Sequence, residues 1–262
     1  MMIAHITDPH LVRRQETLFG LDPMHRLDRV LTQIQRDYAD VRLCVISGDL
    51  TDRADAEAYM MLRERLTNFP IQTRLMLGNH DDRAEFRSVF RDTAADAHGF
   101  IQYFDDIGDL RLIYLDTLAP GLTEGKLCEK RLSWLAETLT AAADKDVAIF
   151  THYPFRRIGL PHFEGMLLSN PDAVMSLLKA HGRVRHIFCG HVHVSMSGQW
   201  DGIPFTVSAG TAHQILPDFS SRNARFVATT PQFDIATLDG NSFRVTRVEA
   251  EERKVLAISA GV

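Results

Sequence analysis

The residues best equipped for chemistry in this chain are aspartates, histidines and one asparagine, each placed directly after a short apolar run. Asp8, Pro9 and His10 follow "IAHIT", and Gly48, Asp49, Leu50, Thr51 and Asp52 follow "RLCVIS". Gly78, Asn79, His80 and Asp81 follow "IQTRLML"; His152 closes "VAIFT"; Gly190, His191, Val192 and His193 follow "VRHIFC". Taken singly, each group reads as an ordinary polar turn, because Gly, Asn and Asp favour turns for their own backbone reasons. Together they carry more weight, because open α/β sheets build their ligand sites beyond the carboxyl ends of strands. Four histidines, two or three aspartates and one asparagine, with no thiolate, make an oxygen- and nitrogen-donor set suited to Mn, Fe, Zn or Co rather than to a structural zinc. Asp8 and His10 are two apart, so on an extended segment both face one side. A carboxylate as central as Asp49 can bridge two cations.

These groups need a scaffold, and the apolar pattern supplies one. Short β-rich runs at 3–7, 42–47 and 71–77 alternate with helical patterns at 22–39, 55–69 and 84–91. The first helix has Asp22 as its cap, Pro23 in its first turn, and Leu27, Val30, Leu31 and Ile34 on one face. Strands at 99–104 and 110–116 flank a turn, "DDIGD"; a helix over 129–143 places Leu132, Leu135 and Leu139 at core spacing. A strand at 147–152, a helix at 171–182 and a strand at 184–190 follow. From about 194 the chain becomes β-rich: "SMSGQW", "IPFTVS", "QFDIATL" and "SFRVTRV" are strands joined by turns. The order predicts two mixed sheets face to face with helices outside, in one domain over 1–262.

Composition narrows the function classes. The 262 residues are 45% hydrophobic and 24% charged, with a formal net charge of −5. That balance gives no global attraction to a nucleic-acid polymer or an anionic membrane. Cys44, Cys128 and Cys189 are odd in number and form no CxxC pair, so neither a thiolate metal site nor a disulfide framework is expected. The start, "MMIAHITDPHLVRR", lacks a basic lead and a sustained apolar stretch, which makes the cytoplasm the expected compartment.

The run "DPH … GDLTD … GNHD … TH … GHVH" resembles the calcineurin-like metallophosphoesterases motif by motif, from Asp8 to His193. The resemblance implies a four-layer α/β/β/α sandwich holding two divalent metal ions. It assigns Asp8, His10, Asp49 and His193 to one ion and Asp49, Asn79, His152 and His191 to the other, with Asp49 bridging. Asn79 is thereby also placed against substrate. His80 corresponds to the family's non-ligand histidine beside the leaving group, with Asp52 orienting it; Asp81 keeps a structural reading. Within the family the chain is similar to class III cyclic-nucleotide phosphodiesterases and bacterial glycerophosphodiesterases, and "SAGTAHQI" corresponds to their segment that brings a histidine, here His213, to the pocket. That group often carries a His-His-Pro-Pro-like run where this chain has Thr151-His152-Tyr153-Pro154. The implied activity is hydrolysis of a small phosphodiester by in-line attack of a metal-bridging hydroxide, the cations roughly 3.5–4 Å apart.

Two rivals come with this reading. A phosphomonoesterase would favour more fixed positive charge, of which the motif loops offer only Arg53, and "THYP" differs from the His-Gly-Gly run of protein phosphatases. A non-catalytic scaffold on the same fold would not need the full ligand set. Arg53 reads equally as a phosphate contact or a surface ion pair, and His162 as a loop histidine near His152. His5, His25, His98, His181 and His186 read as structural or solvated; Phe104, Phe150, Phe188 and Trp134 read as core. The C-terminal strands and the tail "VEAEERKVLAISAGV" are candidates for a homo-oligomer contact.

Overall fold

The structure, a computed structural model, describes residues 1–239 and 242–251. Most of the tail expected as a subunit contact therefore lies outside the described residues. In chain order the elements are β1 (Met2–Ile6), α1 (Pro23–Asp37), β2 (Val41–Ser47), α2 (Ala56–Thr67), β3 (Thr73–Met76), α3 (Arg83–Val89), β4 (Tyr103–Ile107) and β5 (Leu110–Tyr114). They continue with α4 (Glu129–Thr140), β6 (Asp146–Phe150), a 3₁₀ turn at Pro161–Phe163, α5 (Pro171–His181), β7 (Val184–Cys189), β8 (Met196–Trp200) and β9 (Ile203–Val207). A short ribbon of β10 (Gln214–Ile215) and β11 (Phe226–Val227) precedes β12 (Gln232–Asp239) and β13 (Ser242–Glu249).

Two mixed sheets result. The first has the order β13-β12-β1-β2-β3 and the second β4-β5-β6-β7-β9-β8. In the first, β1, β2 and β3 run parallel with β3 at the sheet's edge, and in the second β5, β6, β7 and β9 run parallel, so their carboxyl ends open at the same edge. Period-2 alternation divides the core into three sets. Ile3, Leu43, Val45 and Met76 meet Leu112, Tyr114, Ala148, Phe150 and Phe188 between the sheets. The intervening residues Ala4, Ile6, Cys44 and Ile46 face α1, α2 and α3, while Ile113, Ile149 and Ile187 face α4 and α5. Helix, sheet, sheet and helix thus stack in four layers. Burying each aliphatic or aromatic side chain of the middle layer contributes about 1.5–3 kcal/mol, and the rings of Phe150 and Phe188 stack at 4.6 Å between centroids.

The first helix forms as its sequence requires: Asp22 accepts from the His25 N–H, Pro23 opens the turn, and Leu27, Val30, Leu31 and Ile34 are fully buried. One stretch departs from expectation. The strand expected at 99–104 begins only at Tyr103 and runs on to Ile107, through most of the supposed turn. Pairing of Ile107 with Leu110 leaves Gly108 and Asp109 as the whole connection. Residues just before it are captured by side chains instead of a ladder: Phe100 N donates to Asp96, and Ile101 N to Asp116. The shift also puts Phe104 on the outside, 42% exposed, with the Arg111 guanidinium 3.9 Å from its ring centroid. It is not a core residue. Among the described residues no helix is long and apolar enough to cross a membrane.

Candidate metal centre

Every histidine and carboxylate singled out after β1, β2, β3, β6 and β7 meets at the common edge where the two sheets open. Two of the resulting groups consist wholly of buried residues: Asp8, His10 and His193, and Asp49, His152 and His191. Within the first, His10 Nε2 lies 3.1 Å from His193 Nε2 and 3.8 Å from Asp8 Oδ1. Asp49 Oδ2 stands between the two groups, 3.4 Å from both His10 Nε2 and His152 Nε2.

The backbone that achieves this is unusual. Asp8, His10, Asp49, His191 and His193 all have positive φ, between 41° and 72°. The expectation that Asp8 and His10 share a side of an extended strand is therefore corrected: the chain has already left β1, and left-handed turns aim both side chains. Such conformations are uncommon outside glycine, though Asp and His tolerate them better than most, and they concentrate where a binding site holds them in place. Two glycines make the convergence possible. A Cβ on Gly78 would fall 2.2 Å from Asp49 Oδ1, and one on Gly190 would fall 1.9 Å from Thr7 Oγ1.

Each donor is held by one atom and left bare at another. Asp8 Oδ2 accepts from the Thr7 hydroxyl and the His191 N–H, while Oδ1 has no hydrogen-bond partner. Asp49 Oδ1 accepts from the His80 N–H. His152 Nδ1 donates to the Ser47 carbonyl and His193 Nδ1 to the His213 carbonyl, which turns the lone pair to Nε2 in both rings. His152 Nε2, His191 Nε2 and the half-buried Asn79's Oδ1 are buried without partners. Buried polar atoms are almost always satisfied, so this concentration of bare acceptors fits divalent cations.

Electrostatics agree. Burial works against charge on His152, yet Asp49 and Asp8 outweigh it and push its pKa up to about 9. The same carboxylates create at His152 Nε2 a potential that favours positive charge. Burial, reinforced by His152, lowers His191 to about 3, leaving a neutral ring able to donate its lone pair.

His80 sits outside the buried set, with its side chain 40% exposed. Its Nδ1 donates to the backbone carbonyl of Asp52 at 2.8 Å, and its ring meets His10 edge-on at 4.6 Å. The Asp52 carboxylate is 3.9 Å from His80 but 3.3 Å from His10 Nδ1. What orients His80 is the peptide group of Asp52, and the carboxylate serves His10. His213 is buried and stacks on His193 at 4.2 Å, 15° from parallel, its Nδ1 without a partner. Arg53 is 82% exposed and 3.3 Å from Asp52, an ion pair at the surface. His162 is half-buried and bonded to the Arg222 carbonyl; its neighbour Phe163, not His162 itself, reaches the His191 ring.

Two residues outside the proposed donors support them. Asp81 accepts from Leu50 N, Thr51 N, Gly78 N and the Tyr59 hydroxyl, tying the loop of Asp49 to the loop of Asn79. Its place next to His80 gave only a hint. Tyr153 packs on the rings of His152 and His191.

Several known proteins are similar to this chain in sequence or fold. A probable cyclic nucleotide phosphodiesterase of Rhodopseudomonas palustris is 36% identical over 83% of this chain and 81% of its own length. A glycerophosphodiester phosphodiesterase of Enterobacter lignolyticus is 28% identical, over 82% and 79% respectively. A dimetal phosphatase from Danio rerio, 17% identical, superposes on the fold with a TM-score of 0.74, covering 96% of each chain. Residues 1–195, which contain both buried histidine–aspartate groups, match the sequence model of the calcineurin-like phosphoesterases, and the chain belongs to that family.

Proposed function

We propose that the chain is a binuclear metal-dependent phosphodiesterase acting on small diesters of the cyclic-nucleotide or glycerophosphodiester type. The observation that carries this reading is the ring of bare, buried acceptors with His80 standing outside it. Asp8, His10, Asp49 and His193 would hold one cation, and Asp49, Asn79, His152 and His191 the other. Two divalent cations, such as Mn²⁺ or Fe²⁺, supply there an acidified water and charge neutralisation at the phosphoryl oxygens.

The chain's own residues do the rest. Thr7 and the His191 N–H fix the Asp8 carboxylate, and the Ser47 and His213 carbonyls fix two imidazole tautomers. His80, anchored through Nδ1 on the Asp52 carbonyl and through its backbone N–H on Asp49, has Nε2 left to protonate the departing alkoxide. His213, stacked on His193, lines the side of the centre on which the rest of the substrate must lie. Arg53, exposed and paired with Asp52, supplies no fixed cation for the second charge of a monoester.

The test is turnover by metal-reconstituted enzyme. Bis(p-nitrophenyl) phosphate is expected to show a higher kcat/KM than p-nitrophenyl phosphate, and at least one cyclic nucleotide or glycerophosphodiester is expected to be hydrolysed. A better monoester than diester would overturn the phosphodiesterase reading.

A further inference from the structure

Outward from His213 the site continues into a pair of exposed phenylalanines. Phe19 is 62% exposed and Phe226 49% exposed, far more than such rings require in a folded chain. They stack on each other at 4.9 Å, 28° from parallel. Both also touch His213, with centroids at 5.1 Å from Phe19 and 5.3 Å from Phe226. His213 in turn lies 4.2 Å from the ring of His193 and 5.3 Å from that of His10. Aromatic rings in contact therefore run from the metal-ligand candidates to solvent.

The backbone beneath Phe19 is a second, independent observation. Leu18 and Leu21 exchange both backbone hydrogen bonds, and the two residues between them, Phe19 and Gly20, have φ of 52° and 76°. A two-residue turn of this kind calls for Asn, Asp or Gly at its first position. A phenylalanine there is a strained choice, and it holds a large apolar ring in water beside a binding site, where such strain tends to be kept. Phe226 comes from the other side, on the β10–β11 ribbon. Two unrelated segments thus present rings to one place.

We propose that Phe19 and Phe226 form a stacking face for the planar base of a nucleotide-type diester whose phosphate lies at the Asp8–His193 centre. The proposal rests on the phosphodiesterase reading and narrows it. The base of a cyclic nucleotide is separated from phosphorus by one sugar, as the phenylalanines are separated from the ligand imidazoles by one ring, His213. A glyceryl diester has no planar group to place there. Base-aromatic stacking is tolerant of base identity, because every base has a π face.

Metal-loaded wild type, Phe19→Ala, Phe226→Ala and Phe19→Trp are compared on 3′,5′-cyclic AMP and on the same cyclic ribose phosphate lacking the base. The ratio of the two kcat/KM values is expected to fall about tenfold in each alanine variant, through KM, and to be kept by Phe19→Trp. A ratio unchanged in both alanine variants overturns the proposal and leaves the phosphodiesterase reading intact. If wild type hydrolyses monoesters but neither diester, the phosphodiesterase reading fails instead. The face is then judged by binding of adenosine against ribose to the metal-free protein, followed by ligand-observed NMR. Adenosine binding by wild type that disappears in the alanine variants supports the stacking face; no adenosine binding by wild type overturns it.

Discussion

Asp81 offers a way to loosen the centre without touching any proposed ligand. Its two oxygens accept four hydrogen bonds at 2.8–3.2 Å, three from backbone amides of the two ligand-bearing loops and one from Tyr59. Burial and the nearby Asp49 raise its pKa to about 6, so at pH 8 it is ionised and accepts at both oxygens. Asp81→Asn keeps the shape but replaces one oxygen by a donor. Whichever way the amide turns, at least one buried N–H loses its acceptor, at a cost of about 1–3 kcal/mol. The surviving bonds change from charge-assisted to neutral, while the variant sheds the burial and repulsion cost that raises the Asp81 pKa, so the lost acceptor sets the expected loss at about 1–3 kcal/mol. Urea unfolding of the metal-free protein at pH 8 measures it. Because the loops carry Asp49 and Asn79, metal affinity should fall with stability, by about 10–100-fold, as read by competition with a chelator. A variant within about 0.5 kcal/mol of wild type, with unchanged metal affinity, would refute the idea that this carboxylate holds the two loops together.

Asp49→Ala removes the carboxylate oxygen that stands equidistant from both histidine groups; elemental analysis should find at least one metal equivalent missing and turnover nearly abolished. His80→Ala should keep both equivalents while lowering turnover of alkyl-leaving diesters by on the order of 10²–10⁴-fold. The deficit should shrink for nitrophenolate, and an equal deficit for both leaving groups would remove His80 from leaving-group protonation. His5 is fully buried, bonded to Ser47 and Ser208, and its pKa is lowered by burial from 6.5 to about 3. The unfolded chain then binds the extra proton below pH 6.5, so stability should fall as pH drops from about 6.5 toward 3, by about 2 kcal/mol at pH 5. Urea titrations at pH 7.5 and 5 on metal-free wild type and His5→Asn check this: the variant should lose less, and equal losses would argue against the assignment.

The sequence showed its sandwich plainly where period-2 runs such as Ile3–Ile6 and Leu43–Ile46 coincided with helices carrying clear caps. It misjudged 99–107 because "GFIQYF" has strand composition, whereas the amides near Phe100 are captured by Asp96 and Asp116, from outside the run. The convergence of Asp8, His10, Asp49, His152, His191 and His193 could be read from strand ends. The left-handed backbones that aim them could not, since Asp and His give no such signal by identity alone. Asp81 read as structural, but its partners Leu50, Thr51 and Tyr59 were not legible, nor were the ring contacts of Tyr153 or the role of Phe19, because these depend on partners distant in the chain or on a φ value.

The donor set also has a history in time. Asp8, His10, Asp49 and Asn79 follow strands of the first sheet, and His152, His191 and His193 follow strands of the second. His10 and His193, 3.1 Å apart in space, are separated by 183 positions in the chain. Closing so long a loop is entropically unfavourable, and contacts of such high separation tend to form late. The centre can therefore be complete only after the two sheets have met, when most of the folding barrier has been crossed. Cations bound there should act on the exit from the folded state: raising their concentration should slow unfolding in stopped-flow measurements while the refolding rate stays nearly constant. A centre formed last would make the protein's lifetime, more than its speed of formation, a function of metal supply.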